Sequence, residues 1–187
     1  MPRWLRISVY CVLLLLSSYM YWISGQKPSQ IATPIKHAVL SVDPLRPSAS
    51  LNITRNQITK FYERRPFNLV FKYVPLADGR PRIVGRSIDG STLLEVIGPP
   101  EKITTVSLMA YLPIDQPLVR LKNLNAVSML FELTLADWAN RDTWLDQNID
   151  QAFAGLSAKT LTSGRSITMT VASQTETLVV NIMGPPL

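Results

Sequence analysis

Between Phe67 and Met183 the side chains change character at every second residue in six separate stretches, and this period constrains the fold more than any other feature. Successive side chains on a strand point to opposite faces, so such alternation builds a sheet with two chemically different sides. In "FNLVFKYVP" Phe67, Leu69, Phe71 and Tyr73 point one way. Asp78-Gly79 is a turn signal, "RPRIVGRSI" comes next as a second strand, and Asp89-Gly90 marks the next tight turn. "TLLEVI" is the third strand. In "ITTVSLMAYLP" Val106, Leu108, Ala110 and Leu112 alternate with Thr105, Ser107, Met109 and Tyr111 as a fourth. "RSITMTVA" and "TLVVNIM" close the chain. Short connections favour antiparallel neighbours.

Helical spacing appears on either side of these strands. Residues 54–65 place Ile58, Phe61 and Tyr62 on one face before Pro66 stops the helix. After Pro117, with Asp115 as the expected N-cap, Leu118, Leu121, Leu124, Val127, Leu130 and Phe131 recur at three- and four-residue steps. A further helix over residues 142–156 turns Trp144, Leu145, Ile149, Ala152 and Phe153 inward. The expectation is an α+β fold in two layers, a six-stranded antiparallel sheet with two or three helices packed on one face, preceded by an N-terminal membrane segment.

The stretches "GRSIDGSTLLEVIGPP" and "GRSITMTVASQTETLVVNIMGPP" begin and end alike. Proline has no amide donor and cannot extend a ladder, so Gly-Pro-Pro reads as a strand terminator in both. One shared tetrapeptide, with hairpin loops of different length, points to one structural solution used twice rather than to a duplicated function.

Arg3 and Arg6 precede residues 7–24, which carry no charge. Eighteen such residues reach the short end of the range that spans a bilayer, and basic residues ahead of them direct the remainder of the chain out of the cytoplasm. Tyr19, Tyr21 and Trp22 cluster where a helix end would meet headgroups. An uncleaved signal-anchor is favoured over a signal peptide cut near Gly25, because bulky Ile23 suits cleavage poorly. Tyr10 ahead of Cys11, with the apolar run after it, excludes a lipoprotein cysteine. The organisation expected is a signal-anchor or signal peptide over residues 1–25, a Pro-rich tether over 26–53 with prolines at 28, 34, 44 and 47, and an extracytoplasmic domain over 54–187. The location is membrane-anchored and periplasmic or cell-surface, or secreted if the signal is cut.

Cys11 is the only cysteine and His37, in the tether, the only histidine. The domain therefore holds no His-based triad, thiolate nucleophile, or His/Cys zinc set, and no cofactor, metal or catalytic residue is assigned. Asp142, Asp146 and Asp150 stack on one helix face, read as a solvated surface. Of the 19 basic residues, 17 lie beyond Gly25 against 13 acidic ones, a balance too mild to imply nucleic acid. The charge is uneven, however. Lys72, Arg80, Arg82 and Arg86 are expected on the sheet face that no helix covers, as a positive stripe, while the helical region over 115–150 is net acidic. The function expected is a non-enzymatic binding or adaptor domain that recognises an anionic lipid, an acidic glycan or an acidic protein. The alternatives are an extracytoplasmic hydrolase using two carboxylates, and a structural subunit of an envelope complex with an apolar patch, for example around Trp138 and Trp144.

Overall fold

A computed structural model describes residues 50–185. The chain divides into two compact units, Met1–Lys36 and His37–Leu187, and every described residue belongs to the second. The expected membrane segment with Arg3, Arg6 and Trp22, and most of the Pro-rich stretch, lie outside the described residues. Among the described residues no helix is long and apolar enough to cross a membrane.

The fold is α+β. Thr54 starts helix α1, Arg55–Tyr62, with a reciprocal cap: its hydroxyl accepts from the Gln57 N–H at 3.3 Å while the Gln57 side chain accepts from the Thr54 N–H at 2.8 Å. Leu51 and Ile53 already belong to the core, so packing begins ahead of the helix. Strands β1 Leu69–Tyr73, β2 Arg82–Ser87, β3 Thr92–Ile97 and β4 Thr105–Tyr111 form an antiparallel meander. Helices α2, Pro117–Thr134, and α3, Arg141–Phe153, come next. Strands β5 Ala158–Thr162, β6 Arg165–Ala172 and β7 Thr177–Met183 complete the sheet in the order β1-β2-β3-β4-β7-β6-β5.

The sheet has seven strands, not the six expected. The additional one, β5, is an edge strand of sequence "AKTLT" whose single large apolar residue, Leu161, faces solvent. Apolar periodicity cannot reveal such a strand. Its turn does carry a signal: Ser163 and Gly164 both have positive φ, +48° and +75°, and Thr162 pairs with Arg165. This is the two-residue hairpin that Ser-Gly permits.

Helix α2 also departs from expectation at its start. Gln116, not Asp115, is the N-cap, and it makes no side-chain cap bond; Pro117 opens the helix with its φ already set. The buried face is Asn123, Ala126, Val127, Leu130, Phe131 and Thr134. Leu118 and Leu121 fall on the other side, 81% and 66% exposed. Both leucines match a helical period, but so does the set anchored on Asn123, and that polar residue has hydrogen-bond partners only on the inner side.

One apolar core joins the three helices to one face of the sheet. Tyr62 donates its phenol hydrogen to the Ala126 carbonyl at 2.7 Å, locking α1 to α2, and burial pushes its pKa up. Phe131, Trp144 and Trp138 stack in series at 5.9 and 5.8 Å between ring centres. Both tryptophans are half-buried against the core, so they do not form the exposed patch proposed for them. The exposed apolar residues of this region are Ile114, Leu118 and Leu121.

The Gly-Pro steps at 98–99 and 184–185 close equivalent places. They end β3 and β7, the two strands that flank β4, and Thr105 pairs with both Ile97 and Met183. The Gly98 N–H donates to Pro81 O and the Gly184 N–H to Thr104 O, each at 2.9 Å. The opening tetrapeptides are not equivalent. In the first, Arg86 is near the end of β2 and exposed; in the second, Arg165 begins β6 and is buried. The meanders β1-β2-β3 and β5-β6-β7 flank β4 with both preceding helices on the same face, a mirror relation. A rotation about β4 would put the helices on opposite faces, so the halves do not superpose as copies.

Candidate functional site on the outer sheet face

Pairing register assigns each strand residue to a face. Leu94, Leu108, Val180, Met169 and Ala158 lie opposite one another across five strands and face the helices. Lys72, Arg82 and Arg86 have the other parity and share the outer face with Val84, Glu95, Ser107 and Asn181. Arg80 precedes β2, in the loop after β1.

The four expected cations divide into two pairs. The Arg80 Nε donates to the Asp78 carboxylate at 2.7 Å, and Asp78 also accepts the Arg80 N–H at 3.0 Å. The bond from that backbone N–H, then the one from the guanidinium, hold the Asp78 carboxyl below the usual range. Arg82 donates from Nη1 to Glu95 Oε1 and from Nε to Val74 O, each at 2.8 Å. Glu95 reaches Arg82 because it pairs with Val84, which makes it a diagonal neighbour. Lys72 and Arg86 are exposed and have no carboxylate partner among the described residues. Lys72 faces Val84 and Arg86 faces Val70, so the two cations are themselves diagonal neighbours, with β1 as a sheet edge.

Sequence reading missed a second polar cluster, at the turn of the β2–β3 hairpin and next to Arg86. Asp89 accepts from Ser87 Oγ at 2.7 Å, the Ser91 N–H at 3.1 Å and Ser91 Oγ at 2.9 Å, and pairs with Lys122 of α2. Partial burial opposes the charge of Asp89, but the bonds from Lys122, Ser87 and Ser91 together outweigh it and hold its carboxyl well below the usual range. Beneath it, fully buried Asn123 donates to the Ser91 and Tyr111 carbonyls at 3.2 and 2.7 Å and accepts from the Thr92 hydroxyl at 2.9 Å. Lys122 also donates to Ser91 Oγ at 3.1 Å. A serine beside a lysine can be a nucleophile and its base only if the amine can lose its proton. Here the amine is engaged in an ion pair with Asp89, and Ser91 is buried. The cluster fixes the hairpin to α2. The spacing Ser87-x-Asp89-x-Ser91 is its sequence signal, as aspartate turns bond to residues two positions away.

A groove of about 630 Å³ runs between α2 and α3, lined by Leu118, Leu121 and Ile149 with Asp142 and Asp146 at its rim. Asp142, Asp146 and Asp150 are all exposed. Asp137 pairs with Arg165, whose guanidinium holds the Asp137 carboxyl below the usual range and ties the α2–α3 connection to β6. No three His, Cys, Asp or Glu side chains converge on a metal position among the described residues. Compared with protein-family models, curated proteins and solved structures, the chain gives no match.

Proposed function

We propose that this chain is an exported, membrane-tethered binding or adaptor domain, non-enzymatic, that recognises an anionic partner through Lys72 and Arg86. The observation carrying this reading is their placement: two exposed cations, diagonal on the outer face of an edge hairpin, each facing a valine and neither offset by a carboxylate among the described residues. Arg82 and Arg80, neutralised by Glu95 and Asp78, frame the pair without adding net charge. The lysine supplies a compact charge and the arginine a fork suited to carboxylate or phosphate. Export and tethering rest on the uncharged residues 7–24 behind Arg3 and Arg6.

The test holds the full chain in a neutral-lipid nanodisc. It is titrated at low salt with polyglutamate, an acidic polysaccharide and phosphatidylglycerol vesicles, whose separate affinities distinguish protein, glycan and lipid partners. The double variant Lys72→Glu/Arg86→Glu should bind its preferred probe at least about tenfold more weakly, since each basic residue at an anionic surface contributes on the order of 1 kcal/mol. Asp78→Asn/Arg80→Gln, which removes both partners of a neutral pair, should bind as the parent does. Undiminished binding by the double variant, or no binding by the parent, would retire the proposal.

A further inference from the structure

We propose that the β1 edge takes up an extended acidic segment of another protein as an eighth strand of the sheet. This rests on Lys72 and Arg86 as the anion-binding pair proposed above, and it names the partner as polypeptide rather than lipid or glycan. A sheet edge can accept a strand where its backbone N–H and C=O groups point outward without partners. Hydrogen-bonded and non-hydrogen-bonded pairs alternate along an antiparallel ladder, so one bond fixes the direction of every residue. The Val74 N–H donates to Arg82 O at 3.0 Å, one step beyond the last β1–β2 pair, Tyr73 with Ile83. Val70, Lys72 and Val74 therefore bond to β2, and the N–H and C=O of Phe71 and Tyr73 point outward. Those groups have no backbone partner among the described residues, because β1 ends the sheet. The edge is also uncovered: Val70 is 57% and Tyr73 61% exposed.

Side-chain parity specifies what the added strand carries. An antiparallel strand bonded to Phe71 and Tyr73 sets one residue opposite Lys72 in a non-hydrogen-bonded pair, where side chains come closest. That side chain and the one opposite Val70 fall on the outer face, two residues apart. The first meets Lys72 directly. The second meets Arg86, which pairs with Val70. The exposed Arg86 guanidinium lies beside Gly90, and no hydrogen bond or ion pair holds it there among the described residues. It stands two strand spacings, about 10 Å, from the added strand, a gap that an arginine and a glutamate side chain close together. The residues opposite Phe71 and Tyr73 have the inner parity and lie beside the two aromatic rings. The segment specified is acidic at alternate positions and apolar between them. Lipid headgroups and glycans would meet the cations but leave the outward backbone groups unused. Pairing of β1 with a second copy would bring two Lys72 side chains to one face, which like charge disfavours. On β5, the other edge, Lys159 pairs across with Thr168, and no second cation stands on that face of β5 or β6.

The full chain in a neutral-lipid nanodisc is titrated at low salt with a short capped peptide of alternating Glu and Val. The peptide should bind and slow hydrogen exchange at the Phe71 and Tyr73 amides at least about tenfold. The same peptide N-methylated at its valines keeps its charge but loses the donors that face β1, and should bind at least about tenfold more weakly. This arm leaves the protein unaltered. Tyr73→Pro, which removes an outward N–H and none of the β1–β2 bonds, should weaken binding as well. The variant Lys72→Glu/Arg86→Glu separates the two readings. If it loses the peptide while the N-methylated peptide binds the parent undiminished, or exchange at Phe71 and Tyr73 does not change, the cations hold an anion without strand addition and the proposal is overturned. Undiminished peptide binding by the double variant would overturn both readings. Tighter binding of phosphatidylglycerol vesicles or an acidic polysaccharide than of the peptide would overturn strand addition alone and assign the pair to lipid or glycan.

Discussion

Asp89 and Asn123 anchor the β2–β3 hairpin to α2 by different means, one charged and half exposed, the other neutral and fully buried. The charged anchor makes stability depend on pH. Because the folded pKa of Asp89 lies below its unfolded value near 3.9, its contribution is complete above that value and is lost as pH falls through the folded one. Asp89→Asn has no such titration. The stability difference between parent and Asp89→Asn, from urea unfolding at a series of pH values, should be constant near neutrality and shrink as pH drops below about 4. A difference that stays flat down to pH 2 would mean that the four bonds to the carboxylate do not favour its charged form. The turn at Asp89-Gly90 was legible in the sequence, since both residues are local signals. Its partners Lys122 and Asn123 were not, because they are more than 30 residues away and only the packing of α2 brings them close.

Among the elements, Gly98 fixes the end of β3. Its φ is +126°, and an added Cβ would stand 2.6 Å from Lys102 O and 2.8 Å from the Thr104 nitrogen, both backbone atoms. Gly79 also has a positive φ, +84°, but nothing lies within 4 Å of its Cβ position. Gly98→Ala should therefore destabilise by about 3 kcal/mol or more, combining conformational strain with displaced backbone, whereas Gly79→Ala should cost about 1 kcal/mol. Equal unfolding midpoints for the two variants would contradict this reading of the Gly-Pro-Pro terminator. Strands with strong alternation were located from sequence: β3 and β7 begin and end where "TLLEVI" and "TLVVNIM" do. β5 escaped because an edge strand exposed on one side needs no apolar alternation. The rotation of α2 escaped because two apolar stripes compete in its sequence, and a buried asparagine selects between them.

Across the whole molecule, charge that looked concentrated is partly cancelled by register. Glu95 pairs with Val84 and so reaches Arg82. Removing that carboxylate should release a third cation beside Lys72 and Arg86. Glu95→Gln is expected to strengthen binding of the anionic probe by roughly fivefold at low salt, an effect that fades as ionic strength rises. Weaker or unchanged binding in Glu95→Gln would argue that the anion is held elsewhere. By itself the sequence determined the class of the fold, most of its strands and the parity that puts Lys72, Arg82 and Arg86 on one face, because period and turn chemistry are local. Tertiary structure alone decided which carboxylates meet those cations and how α2 is rotated. Those depend on strand register and on contacts between residues far apart in the chain, which no local pattern encodes.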